Sequence, residues 1–270
     1  MTSDTEAARR KLTTFLALGA AFSSIFYTRI IRAGTLNAAG GAYLQALMWA
    51  PGAAALLTRM IHQRNLGGEG WCWGKTRWQV IGYLLPLAYA TAAYGVVWAI
   101  GLGTVGSLPA GLSQMFIIGT MNTVVFALGE ELGWRGLLVP ELAKLTDFTR
   151  VSLLSGILWA AWHMPIILFA DYNSGTPAWF AIPCFSVMVI GLSFAAAWLR
   201  LRSGSIWPAT LLHASHNFWI QGVFDAVTVN TGRTLWFTTE FGLGLAVAGT
   251  AIAVVFWRLK DQLPTAARAR

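Results

Sequence analysis

Apolar residues in this chain run in long unbroken blocks, and polar residues collect between the blocks. Eight blocks cover residues 12–31, 43–61, 80–101, 112–142, 151–170, 179–199, 206–227 and 237–257. About 20 apolar residues in helical form cross the hydrocarbon core of a bilayer, so each block predicts one spanning helix. No block shows the ten-residue apolar/polar alternation of a membrane β-strand. Pro51, Pro86, Pro165, Pro183 and Pro208 fall inside or at the start of blocks, which spanning helices tolerate when neighbours satisfy the freed carbonyls. The pattern predicts an all-α polytopic membrane protein with about eight transmembrane helices. No repeat or low-complexity segment divides it, so residues 1–270 read as a single membrane-embedded domain.

Composition agrees. Charged residues make up 11% of the chain, less than half the roughly 25% usual in soluble domains, and the mean hydropathy is +0.58. The net charge of +8 reflects membrane topology and not nucleic-acid binding. With the N-terminus in the cytoplasm, the block order puts Arg9, Arg10, Lys11, Arg59, Arg64, Lys75, Arg77, Lys144, Arg150, Arg200, Arg202, Arg258, Lys260, Arg268 and Arg270 inside. Only Arg29, Arg32 and Arg233 fall outside. Fifteen against three is a strong positive-inside bias. It predicts a multi-pass protein of the cell membrane with both termini cytoplasmic. The first block is too long for a cleaved signal peptide and reads as an uncleaved span. Cys72 and Cys184 show neither CxxC nor Cys/His spacing, which argues against a disulfide framework, a zinc finger or a redox motif.

Ionisable residues inside a span are costly and by default propose a functional site. Glu130, Glu131 and Arg135 lie within block 112–142. Glu131 and Arg135 share a helix face in the favoured order, glutamate first, and read as a supporting ion pair. Glu130 projects about 100° away, and its own helix offers it no basic partner. His163 lies in the fifth block, and His213 with Asn217, four residues on, in the seventh. Counted from the flanking basic residues Lys144, Arg150 and Arg202, these side chains fall at one level, roughly 17–23 Å deep at about 1.5 Å per residue. A carboxylate, two imidazoles and an amide converging at low dielectric suit hydrolysis of an amide bond. Glu130 is placed to act as general base on a water, His163 to hold that water, and His213 and Asn217 to donate to an oxyanion.

Other polar residues carry blander expectations. His216 reads as a supporting or structural residue and His62 as a solvated one. Asp225 and Glu240 sit near block ends and need no special role. Gly129, Gly133 and Gly136 read as sites of close helix packing.

Three ordered motifs stand out: Glu130-Glu131-x-x-x-Arg135, Trp159-x-x-x-His163 and His213-x-x-x-Asn217. Together with the approach Ser205-Ile-Trp-Pro-Ala-Thr-Leu-Leu-His213, they resemble the CAAX protease and bacteriocin-processing family of intramembrane endopeptidases. The likeness covers about residues 112–217, the catalytic core of that family. It implies an eight-helix fold around a cytoplasm-facing polar cavity, with Glu130 and His163 activating water, His213 and Asn217 forming the oxyanion site, and Glu131 and Arg135 supporting them. It implies a peptide or membrane-protein substrate met in the lipid bilayer, with no nucleic acid and no cofactor. Trp159 departs from the phenylalanine common at that position, and the expected effect is a reshaped pocket wall. Two alternatives stand beside this reading. One is a zinc-dependent membrane metallopeptidase, with Glu130, His163 and His213 as ligands and an open position, although the spacing is not HExxH. The other is a non-catalytic immunity or scaffold membrane protein.

Overall fold

A computed structural model describes residues 3–107 and 115–264. The expected start of the fourth span at residues 112–114, and Arg268 and Arg270, lie outside the described residues.

The described helices compose eight rods, which we number in chain order. The first three are α1 (Ser3–Ala33), α2 (Ala42–Gln63) and α3 (Thr76–Ala99). α4 runs over 115–143, with π-helical turns at Met115–Gly119 and Leu132–Leu138. α5 is Phe148–Phe169 and α6 is Ala178–Ser203. α7 runs over 207–227, with a π-helical stretch at Phe218–Phe224, and α8 is Leu243–Arg258. Five of the eight, α1, α3, α5, α6 and α8, are long and apolar enough to cross a membrane on those measures alone. The all-α polytopic reading therefore holds, while length and apolarity support five crossings directly. Two short strands, Gly103–Val105 and Thr228–Asn230, pair antiparallel with Thr104 opposite Val229. The apolar blocks did not predict them.

Local chemistry sets the rod ends. Asp4 and Glu6 in the first turn of α1 and Arg32 in its last complement the helix dipole. The Asp147 carboxylate accepts from the Arg150 amide at 3.1 Å and caps α5. α6 stops at Gly204, whose φ of 71° a side chain would resist, and Pro208 sits in the first turn of α7, where no amide donor is lost.

Cross-links sort the rod ends into two faces of the bundle. At the near end, Lys11 reaches Gln63 at 2.9 Å, Trp198 donates to the Leu259 carbonyl at 2.9 Å, and the Ile206 amide donates to Gly70 at 2.9 Å. At the far end, Thr35 donates to Asp171 at 2.7 Å, and Trp98 to Thr228 at 3.2 Å. Glycines let the rods approach: a Cβ on Gly52 of α2 would lie 2.5 Å from the Gly129 carbonyl, and one on Gly133 would lie 2.5 Å from the Pro51 Cβ. The packing role expected of Gly129 and Gly133 is thus visible, and it sits immediately beside Glu130.

Candidate active site

α4 carries both acids on adjacent positions, so helical geometry sends them in different directions. Glu131 turns toward Arg135 one turn on. The Arg135 Nη1 donates to Glu131 Oε1 at 2.7 Å, and neither side chain has measurable exposure. Arg135 also donates to Ser193 Oγ at 3.2 Å and lies 4.3 Å over the Trp159 ring. Glu131 Oε1 is shared with His213 Nδ1 at 3.0 Å. Glu131 Oε2 and Arg135 Nε have no hydrogen-bond partner among the described residues, so the ion pair is monodentate.

Glu130 turns into a cavity of about 360 Å³, within the range of small-ligand sites. Trp159, His163, His213 and Asn217 line the same cavity. Trp159 joins the set together. Its indole N–H donates to Glu130 Oε2 at 2.8 Å, its ring meets His213 edge-on at 5.1 Å, and it lies 6.1 Å from the His163 ring. The residue expected only to reshape the wall is thus a direct partner of the carboxylate. The sequence offered one signal for this: an indole carries a donor that a phenyl ring lacks.

The imidazole tautomers follow from their partners. His163 Nδ1 lies 2.8 Å from the Trp159 carbonyl. A carbonyl only accepts, so Nδ1 carries the proton and Nε2 is left for the cavity. The same argument puts a proton on His213 Nδ1, which faces the acceptor Glu131. For His213 to donate from Nε2 as well, it must be the imidazolium.

A second polar group lines the far part of the cavity. Glu240 accepts from His216 Nε2 at 2.9 Å, from Tyr172 at 2.5 Å and from Gln221 at 3.0 Å. Tyr89 bonds the other nitrogen of His216, and the Tyr172 ring lies 6.1 Å from His163. Glu240 was expected to need no special role; it lines the cavity instead. Its partners come from the turn after α5 and from two successive turns of α7, a convergence that block ends do not reveal. Asp225 is likewise engaged, accepting from Tyr94.

Beneath the acids the near end is filled. Arg59 and Arg200 donate at 2.8 Å to the carbonyls of Gly136 and Arg135, which lie in the π-helical part of α4. The loop between α2 and α3 tucks Glu69 against Gly136 and pairs it with Arg59. Burial pushes the Glu69 carboxyl up, and the Arg59 charge opposes this only in part.

Two expectations meet here and conflict. The lining residues run from the middle of the bundle to the far end, and the basic flanks lie at the near end with residues 9–11. A cytoplasm-facing cavity and a cytoplasmic N-terminus therefore cannot both hold. The conflict arises because the first came from family likeness and the second from charge counting, and neither fixes which half of the rods is hollow.

Among the described residues no group of three His, Cys, Asp or Glu side chains is gathered to hold a metal ion. Glu130, His163 and His213 share the cavity without forming such a group, and Trp159 occupies one oxygen of the acid.

Residues 112–219 match the family model described as type II CAAX prenyl endopeptidase Rce1-like. The curated protein named CAAX prenyl protease 2 from Methanococcus maripaludis is 29% identical over 91 residues, 31% of this chain and 32% of that protein. The chain thus spans about a third of the length of the relative it matches. The family match contains all three motifs, from Glu130 to Asn217, and the likeness read from them stands.

Proposed function

We propose that this chain, whose residues 112–219 fall within the Rce1-like CAAX endopeptidase model, is an intramembrane endopeptidase that hydrolyses a peptide bond with a glutamate-activated water. One observation carries the reading: Glu130, His163, His213 and Asn217 line one cavity although they come from three separate rods.

The free Glu130 oxygen takes a proton from water, and His163 Nε2 orients that water through its lone pair. The hydroxide oxygen bonds to the carbonyl carbon, whose π electrons move onto oxygen. His213, as the imidazolium, and the Asn217 amide donate to that oxyanion. Collapse of the tetrahedral intermediate breaks the C–N bond, and the proton held by Glu130 passes to the departing amine. Glu131 and Arg135 do not touch the substrate; they fix the ring of His213. No step needs a metal.

The test compares membrane-derived peptides from cells carrying the wild type or Glu130→Gln. Loss of specific cleavage products, with the variant still inserted and folded, supports the proposal. Retained cleavage by that variant removes it, and loss of cleavage by the wild type on chelation, with stoichiometric zinc in active protein, replaces it with the metallopeptidase.

A further inference from the structure

The cavity is hollow on one side only. On α4 its lining residues Thr123 and Phe126 precede Glu130, and on α5 they continue past His163 to Ile166 and into Tyr172. Leu36 follows α1, and Glu240 precedes α8. All of these belong to the far end. No lining residue comes from the near-end segments 59–75, 141–150 or 198–207.

The near end is sealed instead. Arg135 and Glu69 have no measurable exposure, and Arg59 is 3% and Arg200 7% exposed. Arg59 and Arg200 tie α4 to the loop through the carbonyls of Gly67 and Gly68 at 2.7 and 2.8 Å. Both guanidinium groups are committed to backbone carbonyls, and Arg59 also to Glu69, which is how buried donors within a membrane are satisfied.

Charge orients the bundle. Of the fifteen basic residues assigned to one side from sequence, all thirteen that are described lie at or beside the sealed end. Arg29, Arg32 and Arg233 lie toward the open end. Even with Arg59 and Arg200 set aside as parts of the seal, this asymmetry places the sealed end in the cytoplasm.

We infer that the cavity opens away from the cytoplasm, so that its substrate is a polypeptide segment presented at the non-cytoplasmic face of the membrane. The word substrate rests on the peptidase proposal; the orientation does not. Every group in the cavity is then reached from outside, and the Arg59–Glu69–Arg200 plug is the barrier that keeps a polar intramembrane site from connecting the two aqueous compartments.

The native thiols make the test direct. Cys72 is exposed in the loop at the sealed end, and Cys184 is buried. Asn173 is exposed in the turn after α5 at the open end. Right-side-out membrane vesicles are treated with a membrane-impermeant maleimide, with and without detergent. In the wild type, Cys72 is expected to label only after detergent. In a Cys72→Ala, Asn173→Cys chain, the new thiol is expected to label without it. Labelling of Cys72 in sealed vesicles, with the thiol at 173 protected, overturns the orientation. Because the readout is accessibility and not cleavage, it is independent of the Glu130→Gln experiment: either proposal can fail while the other stands.

Discussion

Arg135 is the residue on which the polar interior of this bundle turns, and its replacement by methionine tests that account. Methionine keeps the unbranched stem and fills much of the same space, so the change removes the charge and the donors more than the packing. Arg135 gives Glu131 its ion pair at 2.7 Å, reaches Ser193 at 3.2 Å and lies 4.3 Å over the Trp159 ring. In its absence Glu131 keeps one contact, His213, while its second oxygen already has no partner among the described residues. Breaking a buried ion pair by removing one partner costs about 3–5 kcal/mol, because a charge is left buried and uncompensated. The cation–π contact adds up to about 2 kcal/mol when desolvated, part of which the methionine sulfur recovers against the ring. A loss of about 3–5 kcal/mol is therefore expected for Arg135→Met.

The double variant separates electrostatics from packing. With Glu131→Gln also present neither of the two positions carries a charge, and the pair becomes two neutral side chains of similar volume. The double variant should be the more stable one relative to Arg135→Met, with a coupling of about 2–3 kcal/mol between the two positions. Unfolding in mixed micelles with increasing sodium dodecyl sulfate, followed by tryptophan fluorescence, gives the four stabilities. A cost below about 1 kcal/mol for Arg135→Met, or additive single-site costs, would refute the claim that Arg135 neutralises Glu131.

Two further substitutions probe the site. Trp159→Phe removes the donor to Glu130 Oε2 while keeping an aromatic ring; losing a hydrogen bond to a charged group, about 1.5–3 kcal/mol, should lower kcat roughly tenfold or more with KM little changed, and an unchanged kcat would show that the indole does not position the acid. Gly52→Ala sets a Cβ 2.5 Å from the Gly129 carbonyl, a backbone contact that cannot yield cheaply; it should cost about 1–3 kcal/mol by overpacking and displace Glu130, and thermal denaturation in detergent matching wild type would show that α2 and α4 are not in close contact.

The helical architecture was legible in the sequence because membrane spans are written in runs of apolar residues, a signal that needs no tertiary information. The Glu131–Arg135 pair was legible too, since both partners sit on one helix and the spacing alone brings them together. Glu130, His163 and His213 could be assigned to one level, but level is only one coordinate. Whether they face each other depends on rod rotation, which the apolar blocks leave open because nearly every face of each rod is apolar. Trp159 shows the limit most clearly. Its bond to Glu130 joins α5 to α4, and no spacing within either block foretells it. Glu240 shows the same limit from the other direction. It looked like a charge at a span end, yet residues 237–242 precede α8 without joining it and deliver the carboxylate to His216 and Tyr172. The side on which the cavity is hollow was the least legible feature. Charge counting orients the rods, but only the positions of Arg59, Glu69 and Arg200 reveal which end is filled. Arg59 and Arg200 read as ordinary positive-inside flanks until the fold sets them under α4 beside Glu69. Arg59 and Arg200 belong both to the basic residues counted for topology and to the filled near end, so weakening the plug and weakening the topology signal draw on the same side chains.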